Sequence, residues 1–230
     1  MITAVAQRQG TDNGLADATA TYTAGDWTLA AAVIDGVGHA DQIHDLAPTL
    51  AKVAAHYGAQ RGALAGILTA GGMVADPGAD DATPTAVGVV AVAAPGSPHV
   101  AVAWIGDCRA YGWDGVALHQ YTVDHTAGQR LRERGDIPEE VAKASDNILT
   151  LSLAQATPGT VCEVDIPAEQ LLVLTSDGVH DQMPRETLEA LVRKHADGDL
   201  QALADLIVAA AEQEADGYRD DATVVLLRVG

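Results

Sequence analysis

The segment Ala30-Ala31-Ala32-Val33-Ile34-Asp35-Gly36-Val37-Gly38-His39 joins an apolar run to a carboxylate and a glycine-spaced turn. An apolar run of this length that is closed by glycines predicts a buried strand. Asp35 is then expected at the end of the strand, where a rigid sheet meets a loop and where functional sites are often built. Asp107 and Asp177 also follow apolar runs, which raises the question of whether these acids meet in space.

The composition favours one globular domain. The chain has 230 residues, 48% of them hydrophobic, so a sizeable core is expected. Phe is absent, so that core must be built from Val, Leu, Ile and Ala. The formal net charge of -19 disfavours nucleic acid and anionic membranes as partners. It is explained either by solvated acidic faces or by acids that are gathered to hold cations.

Features that report on the compartment favour a cytoplasmic protein. Cys108 and Cys162 both fall in apolar runs, and two cysteines are too few for a disulfide framework, so free thiols are expected. The segment from Met1 to Val5 shows no basic region followed by an apolar one, as a signal peptide would. No apolar run is long enough to span a bilayer.

The order of the predicted elements indicates the architecture. It runs from a strand through two helices and a series of antiparallel strands to two more helices and a final strand. Pro48 falls inside the first helical pattern, where it predicts a first turn or a kink. Pro184 and Asp199 are expected to begin the two later helices. This order predicts an α+β fold in one domain, residues 1–230, with two antiparallel sheets face to face and helix pairs outside.

Four acids are predicted at or beside strand ends: Asp35, Asp107, Asp177 and Asp220. Mg²⁺ and Mn²⁺ prefer such carboxylate oxygens to sulfur or imidazole. A single Asp-Gly pair is more often a simple turn, but several of them after apolar strands favour a metal site. Arg8 is the one basic residue before Lys52, so it is either a salt-bridge partner or a phosphate clamp.

Six short motifs resemble, in order, those of the metal-dependent protein Ser/Thr phosphatases, the type 2C family in its bacterial form. They are Asp35-Gly36-Val37-Gly38, Thr83-Pro84-Thr85-Ala86, Gly106-Asp107-Cys108-Arg109-Ala110-Tyr111, Thr122-Val123-Asp124-His125-Thr126, Ser176-Asp177-Gly178-Val179-His180-Asp181 and Asp220-Asp221-Ala222-Thr223. Any one of these motifs is weak, but six in order make a strong resemblance. It covers nearly the whole chain and implies a four-layer α-β-β-α sandwich.

The resemblance also implies a reaction and its site. The activity would be removal of phosphate from phosphoserine and phosphothreonine in proteins, by attack of a water that bridges two Mn²⁺ or Mg²⁺ ions. The implied metal ligands are Asp35, the Gly36 carbonyl, Asp177 and Asp220, with Asp107 and Asp181 available for a third ion. Arg8 would bind the substrate phosphate. The substrates would be products of a Ser/Thr kinase, and residues 126–150 would form a flap that influences substrate choice.

Departures from the family pattern leave three questions open. The family has an acidic pair after the arginine, and the gap-free register places Asp12-Asn13 there, with Asp17 as an alternative if the loop is longer. His39 has no assigned role, whereas structural roles are favoured for the histidines of the later motifs. Near the flap, Leu151 and Ala154 stand where many family members have Thr-Arg-x-Leu-Gly, so an arginine is lost. The amide at Asn13 and this altered flap motivate a rival hypothesis, a phosphatase-fold binding or regulatory module with weakened catalysis.

Overall fold

Two five-stranded antiparallel sheets form the centre of the protein. The computed structural model describes residues 1–12, 14–37, 41–75, 85–212 and 217–230. The first sheet has the strand order β1 (Ile2–Arg8), β10 (Ala222–Arg228), β9 (Leu171–Thr175), β6 (Arg109–Trp113) and β7 (Leu118–Gln120). The second has the order β2 (Ala18–Thr23), β3 (Leu29–Val37), β4 (Thr85–Ala93), β5 (His99–Ile105) and β8 (Cys162–Pro167).

Helix pairs cover the outer faces of both sheets. On the second sheet lie α1 (Asp41–Arg61) and α2 (Ala63–Val74), and on the first lie α6 (Arg185–His195) and α7 (Leu200–Ala210). The connection between β7 and β8 contains α3 (Ala127–Arg134), α4 (Glu139–Lys143) and a short 3-10 helix (Leu153–Gln155), and α5 (Asp177–His180) follows β9. Among the described residues, no helix combines the length and the apolar character that crossing a membrane requires.

Three apolar layers hold these elements together, and β3 contributes to two of them. Ala32 and Ile34 pack with α1 and α2, whereas Val33 packs between the sheets against Leu174 and Val225. Successive side chains of a strand point to opposite faces, so a strand buried on both faces must be apolar throughout. This explains the continuous apolar run in the sequence and confirms the predicted α+β sandwich of two antiparallel sheets with helices outside.

The structure corrects one local prediction, removes one of two alternatives for another, and adds a strand. Strand β3 runs to Val37, so Asp35 lies within the strand and pairs with Val87 instead of ending it. Pro48 lies well inside α1 and not in its first turn. Strand β2 was not predicted, because alternating Ala and Thr residues give only a weak strand signal.

Candidate metal centre

The registers of both sheets bring the acidic segments to one end of the sandwich. In the first sheet, Thr175 at the end of β9 faces Arg109 at the start of β6 and Val224 near the start of β10. In the second sheet, Gly88 pairs with Ile105, two residues before Asp107. A cavity of about 770 Å³ opens at this end. Its acidic lining residues are Asp12, Asp35, Asp107, Asp177, Asp181, Asp220 and Asp221.

Asp35 and Asp177 both line this cavity, and the negative charge of Asp177 acts on Asp35. Burial raises the pKa of the Asp35 carboxyl well above its ordinary value, and the charge of Asp177 raises it further. The pKa of Asp177 is also raised well above its ordinary value, first by burial and then by Asp107 and Asp220. Both groups would be stabilised as carboxylates by a bound cation, because the cation offsets burial and mutual repulsion together.

Three further acids have raised pKa values at the same end of the sandwich. Burial raises the pKa of Asp107 to about 7, with a further contribution from Asp124. The side chain of Asp181 is 49% exposed. Its partial burial raises its pKa to about 6, while the positive charge of Arg109 lowers it. The pKa of Asp220 is raised as well, chiefly by burial. The structure therefore brings together all five acids predicted as metal ligands.

Asp17 lies directly beside the predicted ligands. Its side chain is 3% exposed and accepts a hydrogen bond of 2.6 Å from Ser176 Oγ. Burial raises its pKa to about 7, although hydrogen bonds from Ser176 and Thr223 act in the opposite direction. Asp12 also lines the cavity, and Asn13 lies outside the described residues. Of the alternatives left open by the sequence, Asp17 is the acid buried against the site.

Asp221 anchors the first loop to the site. Its carboxylate accepts hydrogen bonds from the backbone N–H groups of Gly10, at 2.7 Å, and Ala16, at 2.6 Å. The two donors lie more than 200 residues away in the chain, so no local sequence pattern predicts these contacts. An aspartate at this position closes the loop through backbone hydrogen bonds, in addition to adding charge beside Asp220.

Arg8 does not line the cavity among the described residues. It ends β1, and its guanidinium donates to the carbonyl oxygens of Ala209, at 3.3 Å, and Ala211, at 2.6 Å, at the end of α7. The last carbonyl groups of a helix lack partners within the helix, and an arginine satisfies them. The side chain predicted to bind phosphate is thus occupied outside the cavity, whereas Arg219, which the sequence analysis did not single out, lines it.

The donor set of the cavity fits hydrated hard cations. Its acidic side chains offer oxygen ligands, as Mg²⁺ and Mn²⁺ prefer. Among the described residues, no three His, Cys, Asp or Glu side chains are gathered tightly enough to hold an ion by themselves. Mg²⁺ usually keeps several waters and takes only one or two carboxylates, so an open acidic cavity suits it better than a closed cage.

The segment predicted to be a flap reaches the rim of the same cavity. Asn147 and Leu149 line it. The segment is held internally by Arg132, which donates to Asp146 at 2.5 and 2.7 Å and to Glu139 at 2.7 Å. A planar guanidinium shared by two carboxylates fixes the relative position of α3, α4 and the residues before Asn147.

Two histidines near the predicted motifs have hydrogen-bonding partners in the structure. His180 Nδ1 lies 2.9 Å from Thr175 Oγ1, and burial lowers its pKa well below the ordinary value. His125 Nδ1 accepts from the backbone N–H of Gly106 at 3.1 Å. These contacts support the structural roles favoured from the sequence. His39 lies outside the described residues, as do Gly38, Thr83 and Pro84 of the quoted motifs.

Comparison with known proteins identifies the family. The model of the family described as Stage II sporulation protein E (SpoIIE) matches residues 105–230, more than half of the chain. The chain belongs to the SpoIIE family. This match includes the segments that carry Asp107, Asp177, Asp181 and Asp220, but not β3 with Asp35.

Similar proteins support the resemblance inferred from the motifs. The serine/threonine phosphatase Stp of Listeria monocytogenes is 30% identical over 133 residues, which are 56% of this chain and 51% of that protein. The chain thus spans about half the length of this curated relative. The serine/threonine phosphatase of S. agalactiae superposes with a TM-score of 0.84 at 18% identity, covering 100% of this chain and 99% of that one.

A third similar structure contains metal. It is the catalytic domain of the serine/threonine protein phosphatase PstP in complex with two manganese ions. The TM-score is 0.71 at 21% identity, with 98% of this chain and 96% of that chain covered. At such identities these likenesses show the fold, and they confirm the predicted resemblance to bacterial Ser/Thr phosphatases at that level.

Proposed function

We propose that this protein is a metal-dependent phosphomonoester hydrolase that removes phosphate from phosphoserine and phosphothreonine in proteins. The observation that carries the proposal is the convergence of Asp35, Asp107, Asp177, Asp181 and Asp220 on one cavity, where burial and mutual repulsion raise their pKa values. A bound cation would offset the burial and the mutual repulsion of these acids. The relatives named as Ser/Thr phosphatases supply the reaction class.

Each acid has a proposed role toward the ions. Asp35 with the Gly36 carbonyl, Asp177 and Asp220 would hold two Mn²⁺ or Mg²⁺ ions, and Asp107 and Asp181 would hold a third. When bound, such ions supply a water of lowered pKa and positive charge for the phosphoryl oxygens. Asp12 and Asp17 would act from outside the direct ligand set.

Other groups of the chain hold these ligands in place. Ser176 Oγ donates to Asp17 and accepts from the backbone N–H of Thr223 at 3.0 Å, so it ties the start of α5 to β10. This contact fixes Asp177, the next residue, relative to the segment that carries Asp220. Such support by neighbouring hydrogen bonds keeps metal ligands oriented before the substrate arrives.

The proposed substrates are phosphorylated proteins, the products of a Ser/Thr kinase. The charge of -19 argues against nucleic acid and anionic membranes as partners, and a cytoplasmic location is proposed with it. Residues 126–150 would contact the protein around the phosphorylated side chain, because Asn147 and Leu149 lie at the rim of the cavity.

The test is Mn²⁺-dependent hydrolysis of p-nitrophenyl phosphate, followed by a panel of phosphoserine and phosphothreonine peptides. We expect Asp35→Asn and Asp177→Asn to lower kcat by about 100-fold or more, since each removes a charged ligand. Asp165→Asn, an exposed aspartate of β8, is the matched control and should keep wild-type activity. Wild-type activity in either cavity variant would disprove the assignment of the metal ligands.

The rival hypothesis, a binding or regulatory module, predicts a different outcome. It is motivated by the amide at Asn13 and by the altered flap. The buried position of Asp17 beside Ser176 argues against the first of these, because an acid lies next to the site there. Calorimetric titration with Mn²⁺ next to the turnover assay separates the two. Binding of Mn²⁺ without turnover of any phosphopeptide would favour the module.

A further inference from the structure

We propose that the side-chain amide of Gln182 donates a hydrogen bond to a phosphoryl oxygen of the substrate. The inference rests on the proposed phosphatase function and adds a substrate-binding residue to it. Gln182 directly follows Asp181, lines the cavity and is 8% exposed. A neutral donor suits this wall, because it can bind an anion without repelling the cations that the neighbouring acids would hold.

The backbone of Asp220 fixes the orientation of this amide. The N–H of Asp220 donates to Gln182 Oε1 at 3.2 Å. Since a backbone N–H needs an acceptor and an amide nitrogen is a donor, this contact also decides which branch of the amide is the oxygen. The NH2 group, with its two N–H donors, therefore occupies the other branch.

The NH2 group of Gln182 has no partner within the described part of the protein, where Nε2 donates no hydrogen bond. Over the same residues, the side-chain atoms that are both fully inaccessible and unpartnered are Arg8 Nε, Thr19 Oγ1 and Arg219 Nε. Gln182 Nε2 is not one of them, so it keeps access to open space, and the open space that Gln182 lines is the cavity. A largely buried amide with unused donors has given up hydrogen bonds to water, and an oxygen-rich anion can restore them.

The backbone of Gln182 holds the amide in place before a ligand arrives. Its carbonyl oxygen accepts from the N–H of Glu212 at 2.9 Å, directly after the Ala211 carbonyl that binds Arg8 at 2.6 Å. Gln182 and the arginine predicted from the sequence to bind phosphate therefore contact the same short segment after α7. Because the backbone carbonyl and the side-chain oxygen of Gln182 are both bonded, little conformational freedom is lost when the amide binds an anion.

In the alternative view, Gln182 serves only to hold Asp220 through the backbone N–H of that residue. The alternative uses Oε1 alone, whereas the proposal also uses Nε2. If Oε1 alone matters, substitution of Gln182 should weaken Mn²⁺ binding, because Asp220 is a proposed ligand. Phosphate binding to the Mn²⁺-saturated protein should then stay unchanged.

The experiment compares Gln182→Met and Gln182→Glu with the wild-type protein. Methionine has no N–H donor, and glutamate keeps an acceptor for the Asp220 N–H while it loses both donors. Calorimetry measures binding of Mn²⁺ and then of inorganic phosphate to the Mn²⁺-saturated protein, and KM and kcat are measured with p-nitrophenyl phosphate. We expect Gln182→Met to weaken phosphate binding and raise KM by about 10-fold, with a smaller change in kcat, because a hydrogen bond to a charged group is lost. Gln182→Glu should weaken phosphate binding at least as much, since it also adds a negative charge.

Gln170→Met is the matched control. Gln170 is also 8% exposed, and its Oε1 accepts from the Tyr121 hydroxyl at 3.1 Å, but it precedes β9 at the end of that strand opposite Thr175. This variant should lower the Tm, because Tyr121 loses its acceptor, and keep phosphate and Mn²⁺ binding within about twofold of wild type. The proposal is overturned if Mn²⁺-saturated Gln182→Met binds phosphate within about threefold of wild type, or if Gln182→Glu keeps the wild-type phosphate affinity.

Failure of the phosphatase function is seen separately. If the wild-type protein binds inorganic phosphate but hydrolyses no ester, the calorimetric comparison still tests Gln182, and the proposed function is what fails. If the wild-type protein with Mn²⁺ binds no phosphate, or if phosphate binds equally to wild type and Gln182→Met, the assignment of Gln182 is wrong.

Discussion

The two ends of strand β6 carry the same kind of residue in opposite electrostatic states. Asp107 precedes the strand and faces the cavity, where burial raises its pKa to about 7. Asp114 follows the strand, and hydrogen bonds lower its pKa to about 2, chiefly the bond from the Ala117 N–H and then those from His119 and the Val116 N–H. A five-residue strand separates them. The difference shows that burial and hydrogen bonding decide whether the pKa of an aspartate rises or falls in the folded protein.

Substitution of the glycines beside these two aspartates is expected to give the largest difference in stability. Gly106 and Gly115 have φ values of 94° and 93°. A Cβ added to Gly106 would lie 2.2 Å from Val87 Cβ, whereas a Cβ added to Gly115 would have no described atom within 4 Å apart from those of the adjacent residues. We expect Gly106→Ala to lower the free energy of unfolding by about 3 kcal/mol or more, and Gly115→Ala by about 1 kcal/mol. Urea unfolding at neutral pH measures both. Equal losses would mean that the cavity end is no more tightly packed than the turn.

Addition of Mn²⁺ should raise the Tm through the acids of the cavity and not through Asp114. At a Mn²⁺ concentration of about 100 times Kd, binding stabilises the native state by about 2.7 kcal/mol, which raises the Tm of a protein of this size by about 5 °C or more. Asp177→Asn should lose most of this shift, and Asp114→Asn should keep it. Differential scanning fluorimetry with and without EDTA provides the measurement. A full shift in Asp177→Asn would place the ions elsewhere.

Removal of charge should change stability with opposite signs at the two ends. In EDTA at pH 7, we expect Asp35→Asn to raise the free energy of unfolding by about 1 to 3 kcal/mol, because a buried group repelled by Asp177 becomes neutral. Asp114→Asn should lower the unfolding midpoint, because it weakens the hydrogen bonds at the turn. Destabilisation of the metal-free protein by Asp35→Asn would show that Asp35 is already compensated there.

The smallest expected effect is the pH dependence at Asp114. Its pKa in the folded protein is below the unfolded value, so its stabilising contribution is present above about pH 4 and is lost as the pH falls toward 2. The difference in unfolding midpoint between wild type and Asp114→Asn should therefore be seen at pH 6 and shrink toward pH 2. A difference that stays constant over this range would attribute it to turn geometry and not to charge.

Sequence reasoning found the acids that follow apolar runs, because strand patterns and turn residues are local signals. Asp35, Asp107 and Asp177 follow apolar runs and Asp220 stands just before the last strand, and the structure brings all four to one cavity. The same reasoning left Asp12 and Asp17 as alternatives, since the contact that holds Asp17 beside the site joins it to Ser176, 159 residues away. It also singled out Arg8 as the side chain that binds phosphate, but no local pattern predicts the contacts that its guanidinium makes with carbonyl oxygens at the end of α7, 201 and 203 residues away.

The sequence by itself determined the strands other than β2, the helix pairs and the sandwich, because alternation, periodicity and turn chemistry act over a few residues. It also determined that Asp35 is an aspartate beside a glycine, as are Asp114 and Asp177. Only the tertiary structure decided the burial, the neighbouring charges and the hydrogen bonds of these acids. Packing of two sheets buries one end of the molecule and brings like charges together there, while Asp114 is satisfied by its own turn. Long-range register, and not local pattern, sets the local dielectric and the neighbouring charges.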